Sequence, residues 1–169
     1  MTKPRGIGKG RPRLLLPMGR YTETDLAYLA GLFDGEGDVI IRQARLRSGS
    51  LAHSVRISIS NSHRPTLEWV KAFFGGGEIT PCAGAVNYRV WRLPWGVLEL
   101  HRLLPLLLPY LHIRTREVEL AIRFSNLKAQ QGGRPNTPAL LYEKGQIIED
   151  LRKARQGGRE LVGTPTRSS

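Results

Sequence analysis

At Gly37 the hydrophobic repeat of this chain changes from helical to alternating, and that change limits its possible folds more than any other feature. Before it, Leu26, Leu29, Ala30 and Phe33 recur at the spacing of one helix face, while Ala27 and Gly31 form a second stripe of small residues about a third of a turn away. Thr22 or Thr24 can cap such a helix. Glu23 and Asp25 then fall in its first turn, where acids suit the positive end of the dipole, so a helix is predicted from about Asp25 towards Asp34. After Gly37 the period is two, first over Asp38 to Arg47 and again over His53 to Ser60, where Val55, Ile57 and Ile59 alternate with Ser54, Arg56, Ser58 and Ser60. These are half-buried strands with a polar outer face. A helix feeding directly into such strands predicts an α+β fold.

The remaining elements follow from the same two periods. Arg64 to Phe74 carries Leu67, Trp69, Val70 and Phe73 as a short amphipathic helix stopped by Gly75, Gly76 and Gly77. A further strand pair fits Glu78 to Pro81 and Asn87 to Leu93, then helices fit Gly96 to Leu108 and Arg114 to Lys128. Tyr88, Trp91 and Trp95 read as core aromatics. With 169 residues there is material for one core and no internal repeat. The chain divides into a flexible basic arm (1–20), a core (21–127), a linker rich in Gln, Gly, Pro and Asn (128–139), a closing helix (140–157) and a disordered tail (158–169).

Charge narrows the partner. Lysine and arginine number 26 against 14 acids, a net charge of +12. The arm alone holds Lys3, Arg5, Lys9, Arg11, Arg13 and Arg20 with no acid, and its prolines and glycines oppose the amphipathic helix of a transit peptide. Such a balance points to a polyanion, with nucleic acid ahead of a membrane surface. The most apolar stretch, Val97 to Ile113, is interrupted by Glu99, His101, Arg102, Pro105 and Pro109, so no membrane span is expected. A single cysteine, Cys82, excludes an intrachain disulfide framework and a cysteine-based zinc site, and an intracellular location is expected.

The run Leu29-Ala30-Gly31-Leu32-Phe33-Asp34-Gly35-Glu36-Gly37 resembles the nine-residue signature of the LAGLIDADG homing endonucleases, departing from it at Phe33, Gly35 and Glu36. The likeness continues through Ile57 to Ser62, Leu67-Glu68-Trp69, Phe74-Gly75-Gly76 and Leu108 to Arg114, covering roughly Tyr21 to Phe124. The resemblance implies an αββαββα fold whose antiparallel sheet lies in the DNA major groove. It also implies a homodimer, because the chain holds one copy of the motif, acting on a long pseudo-palindromic duplex and leaving 3′ overhangs. Elementary physics is compatible with this. Ala27, Gly31 and Gly35 are small enough for a second identical helix to approach closely. Acids at a helix C-terminus oppose the dipole unless something there, such as a hard divalent cation, needs negative charge.

By that resemblance Glu36 is the metal ligand, assisted by the Gly35 carbonyl. Two or three Mg2+ per dimer are implied, with Mn2+ or Ca2+ able to substitute in binding. Either Asn61 or His63 positions the attacking water, and the Asn-Ser-His-Arg-Pro segment reads equally as turn and helix-cap chemistry. Arg114 stands where the family commonly has lysine and would act by charge alone, since its guanidinium keeps its proton. Asp34 is left structural. Strand parity directs Arg42, Ser54, Arg56, Ser58, Ser60, Thr80 and Arg89 towards the DNA, and none of these positions holds an acid. A non-cleaving DNA-binding regulator of the same fold and an intron RNA-binding splicing cofactor are the alternatives. RNA is the second-choice partner.

Overall fold

A computed structural model describes residues 21–47, 49–82, 91–132 and 134–160. The basic arm 1–20, Tyr88, Arg89 and residues 161–169 lie outside the described residues. Helix α1 (Glu23–Glu36) begins at a capping box. The Thr22 hydroxyl accepts from the Asp25 amide at 3.1 Å, and the Asp25 carboxylate accepts from the Thr22 amide at 3.0 Å. These bonds also hold the Asp25 carboxyl below its usual range. The helix runs two residues past the expected end at Asp34, so Glu36 is its last residue. Gly37 follows at once as β1, and only glycine fits there. A side chain would overlap the Phe33 carbonyl oxygen and the Phe33 ring.

Strands β1 (Gly37–Arg45) and β2 (Leu51–Asn61) pair antiparallel, with Gly37 opposite Ile59 and Arg42 opposite Ser54. After α2 (Arg64–Phe74) come β3 (Thr80–Pro81) and β4 (Trp91–Trp95), giving a four-stranded antiparallel sheet in the order β1-β2-β4-β3. Four helical segments follow: α3 (Val97–Leu107), a 3-10 turn at Leu108–Tyr110, α4 (Thr115–Gln131) and α5 (Pro138–Glu160). The expected order therefore holds, but several bounds move. β1 ends at Arg45, before Arg47, β3 is shorter than the expected Glu78 to Pro81, and β4 runs two residues past the expected end at Leu93, its expected start at Asn87 lying outside the described residues. The expected linker contracts to 132–137, since α4 runs beyond Lys128 and α5 starts before Leu140. Residues 158–160 continue α5 and so correct the expected start of the tail.

All helices that contribute to the core cover one face of the sheet. Leu29 and Phe33 of α1, Leu67 and Phe74 of α2, and Leu100 and Leu104 of α3 are fully buried with Val39, Ile57, Ile59 and Leu93. Trp95 is core as expected, and its indole N–H donates to the Gly75 carbonyl at 3.1 Å. Phe73 is not; it is 40% exposed and stacks on Trp69, which meets Tyr28 edge-on. The side chain of Trp91 lies outside the description.

Helix α5 docks through Ile147 and Leu151 and is pinned by a buried polar cluster. Lys144 Nζ donates to Gln131 Oε1 at 2.6 Å and Asn136 Oδ1 at 2.8 Å, while Asn136 Nδ2 donates to the Leu51 carbonyl. Lys128 Nζ reaches the His53 carbonyl at 3.2 Å. Burial, aided by Lys144 and Lys128, pushes the His53 pKa down; burial, aided by Lys128, does the same to Lys144. Among the described residues no helix is long and apolar enough to cross a membrane.

Candidate functional site

Two acids close α1 and meet opposite fates. Asp34 is 8% exposed and turns inward: its Oδ2 accepts from the His112 amide at 2.8 Å and its Oδ1 from the Arg114 amide at 2.9 Å. It thus replaces water for two backbone donors at the start of α4 and anchors that loop to α1. Glu36 is exposed and, among the described residues, has no hydrogen bond or ion pair. An unpartnered carboxylate at the negative end of a helix raises the local affinity for a cation.

The anchored loop delivers Arg114 to the same place. Its Nε donates to the Asp34 carbonyl at 3.2 Å, and its Nη1 lies 3.2 Å from Glu117 Oε1. Asn61 is also brought near. Ile59 pairs with Gly37, the residue directly after Glu36, so Ser60 and Asn61 run on past the end of α1. Asn61 Oδ1 accepts from the His63 amide at 2.7 Å, which leaves its Nδ2 donors for another acceptor. His63 occupies the N-cap position of α2, with Nδ1 2.9 Å from the Thr66 hydroxyl, so its ring is engaged in its own helix start.

Register fixes the polar face of the sheet. Arg42 lies opposite Ser54, Ile40 opposite Arg56, Ser60 opposite Arg92, and Thr80 opposite Arg92, so Arg42, Ser54, Arg56, Ser58, Ser60 and Thr80 share one side. Arg92, not singled out by the sequence, joins them and donates from Nε to the Ser60 hydroxyl at 3.4 Å. It lies inside the expected strand Asn87 to Leu93 but at the opposite parity to Arg89, and its pairing with Ser60 is what puts it on the polar face. One expectation needs correction. Ser58 has the right parity but is 2% exposed, lying between its register partners Asp38 and Pro94. Asp38, which was not among the positions singled out, also belongs to this face. Arg89 lies outside the described residues.

The seam residues are open. Ala27, Gly31 and Gly35 are exposed along α1, and a Cβ at either glycine would meet nothing within 4 Å. No intrachain contact therefore requires glycine at these two positions.

A helix ending in an outward acid, entering a four-stranded sheet with a basic polar face, has close counterparts in three dimensions. The archaeal intron-encoded homing endonuclease I-Vdi141I, solved with DNA, superposes with a TM-score of 0.68 at 20% identity, over 78% of this chain and 84% of that one. I-CvuI, also solved with DNA, gives 0.65 at 15% identity, over 86% of each chain. The LAGLIDADG homing endonuclease I-SmaMI, bound to cleaved DNA, gives 0.62 at 17% identity over 85% of this chain but 51% of that one. The fold is that of the LAGLIDADG homing endonucleases. At the sequence level no family model and no curated protein matches. On the LAGLIDADG fold, Glu36 is the outward acid, and Asp34 serves the architecture.

The donor set at Glu36 has the chemistry of a hard divalent ion's ligands. One carboxylate and the nearby Gly35 carbonyl supply oxygen only, the chemistry that magnesium and calcium prefer. Among the described residues no group of three His, Cys, Asp or Glu side chains could hold a metal.

Proposed function

We propose that this protein is a site-specific DNA endonuclease that acts as a homodimer, with Glu36 from each protomer meeting at the two-fold axis. The observation that carries this reading is the exposed, unpartnered Glu36 carboxylate at the end of an open small-residue helix face, on a fold shared with endonucleases such as I-Vdi141I and I-SmaMI that have been solved with DNA. Dimerisation through Ala27, Gly31 and Gly35 would bring two such carboxylates together and supply the second half of the ligand set. The matching of this chain to half the length of I-SmaMI agrees with one protomer being one half of a working unit.

Glu36 and the Gly35 carbonyl would hold Mg2+, which when bound supplies an activated water and charge neutralisation at a phosphodiester. I-CvuI has been solved with DNA in the presence of Mg and of Ca, a precedent for divalent ions on this fold. Arg114, held beside the α1 terminus by Asp34, stabilises charge on the phosphate and takes no part in proton transfer. Asn61, with free Nδ2 donors beside that terminus, is better placed than His63 to orient the attacking water. Arg42, Ser54, Arg56, Ser60, Thr80 and Arg92 would track the major groove, arginine being suited to guanine edges. A symmetric dimer suits a pseudo-palindromic site and can cut both strands; 3′ overhangs are what the resemblance to the LAGLIDADG homing endonucleases implies.

The test is Mg2+-dependent cleavage of a duplex carrying the uninterrupted insertion region of the gene, comparing wild type with Glu36→Gln at matched DNA occupancy. Double-strand cuts lost in the variant support the reading. Tight binding with no cleavage by either protein replaces it with a DNA-binding regulator, and preference for intron RNA over duplex replaces it with a splicing cofactor.

A further inference from the structure

The last turns of α5 return to the end of α1 and complete a charged chain there. Arg155 Nη2 donates to Asp38 Oδ1 at 2.6 Å and to the Val39 carbonyl, and its Nε lies 3.6 Å from Glu117 Oε2. Glu117, 8% exposed, also receives Arg114 Nη1 on both its oxygens, at 3.2 and 3.4 Å. Arg114, Glu117, Arg155 and Asp38 therefore form a continuous series of two cations and two anions running from the α1 terminus to the start of β1. Docking of Ile147 and Leu151 sets the position of α5 from which Arg155 reaches them.

Asp38 is the member that calls for an explanation. Its register partner is Ser58, so it lies on the same side of the sheet as Arg42, Ser54 and Arg56, two residues after Glu36. A bare carboxylate on a face that meets phosphates repels them. Among the described residues Arg155 is its ion-pair partner. Glu117 poses a related problem, because alone it would absorb the charge that Arg114 has to offer. Shared between two guanidiniums, it holds Arg114 in place while neutralising it less. With Arg155 the four groups sum to zero; without it they carry a net charge of −1.

We propose that Arg155 is a positioning residue for the nuclease site: it screens Asp38 from DNA and shares Glu117 so that Arg114 keeps positive charge for a phosphate. The inference rests on the endonuclease reading and extends it to a helix outside the αββαββα core. It assigns Arg155 no direct phosphate contact, which makes it separable from an ordinary basic residue on a DNA-binding surface.

The experiment uses the full chain and the variants R155Q, D38N, R155Q/D38N and R155K. Affinity is measured by anisotropy on a labelled mixed-sequence DNA duplex at low and moderate salt, with urea unfolding measured without DNA. R155Q is expected to weaken binding about fivefold at low salt and less at higher salt, the scale of a half-exposed ion pair subject to screening. Adding D38N should bring the affinity back to within about twofold of wild type, because the two sites are coupled through one contact. R155K should bind nearly as well as wild type, one ammonium being enough to neutralise Asp38. A double variant as weak as R155Q, or R155Q equal to wild type while wild type binds DNA, overturns the proposal alone. If wild type binds no duplex, the endonuclease reading falls and this proposal with it. If R155Q is unstable in urea, the recovery of DNA affinity by D38N still decides, since a merely lost folding contact would not be restored by removing the partner carboxylate.

Discussion

Replacing Asp34 should do more damage to stability than replacing Glu36, although both stand at the same helix end. In the folded chain the Asp34 carboxylate is the acceptor for two backbone N–H groups, from His112 at 2.8 Å and Arg114 at 2.9 Å, and is 8% exposed. Hydrogen bonds to an ionised acceptor contribute about 1.5–3 kcal/mol each, and a buried donor left without a partner costs about 1–3 kcal/mol. Partial entry of water into the 111–114 loop lowers the sum, so Asp34→Ala should destabilise by about 3 kcal/mol. Asp34→Asn keeps one acceptor oxygen but turns an NH2 group towards the other amide, and should cost about 2 kcal/mol. A domain with roughly 5–15 kcal/mol of stability remains folded after either change. Urea unfolding followed by circular dichroism gives the numbers. The same variants loosen Arg114, whose Nε is aimed at the Asp34 carbonyl, so single-turnover cleavage should fall at least tenfold under conditions where the protein is fully folded. An Asp34→Ala chain destabilised by less than about 1 kcal/mol would refute the anchoring role.

Three further outcomes are expected. Gly31→Leu should leave the folded protomer as stable as before or slightly more so, because a Cβ there meets nothing within 4 Å, yet it should abolish the dimer and cleavage; sedimentation velocity reads this, and an intact dimer would count against the α1 seam. His53, whose pKa is held below 6.5 chiefly by burial, should make the protein lose stability on acidification. Below about pH 6.5 the unfolded chain takes up a proton that the folded chain resists, so this contribution is complete above that value and declines as pH falls towards the lowered folded pKa. His53→Leu should therefore show a smaller drop in urea midpoint than wild type between about pH 7.5 and 5, and equal drops would refute the assignment. Asn61→Ala should slow single-turnover cleavage by about a hundredfold, while His63→Ala, which removes a helix-start contact to Thr66, should slow it less than about fivefold; the reverse order would exchange their roles.

What could be read from the sequence was local. The α1 motif, the alternation of β2 and the glycine stop after α2 each declare themselves within a dozen residues, and each element lies where its period put it. The second strand pair was harder, because β3 is two residues long and Pro81 and Pro94 interrupt the alternation of β3 and β4. Parity put Ser58 on the correct side but could not show that Asp38 and Pro94 flank it closely enough to bury it. Asp38 itself was legible by the same parity as Arg42. Arg155 was not: its partner is 117 residues away, and no local pattern encodes the docking of α5 that brings them together.

The two acids of α1 show how a nine-residue pattern can carry both architecture and chemistry. At about 100° per residue, positions 34 and 36 point in nearly opposite directions, so one helix cannot bury both. Asp34 follows Ala30 to the covered side, where two backbone amides compensate its charge against the unfavourable helix dipole. Glu36 falls on the open side, where among the described residues its carboxylate has no hydrogen bond or ion pair of its own, and Arg114, which caps the Asp34 carbonyl, is shared with Glu117. A cation from outside would relieve what remains of its cost. Exchanging the two compensations is therefore impossible without moving the helix: Glu36→Gln should raise stability or leave it unchanged while removing metal-dependent cleavage, whereas Asp34→Asn should lower it. If Glu36→Gln instead destabilised the metal-free protein, Glu36 would have an internal partner, and the reading of it as a carboxylate reserved for a cation would be wrong.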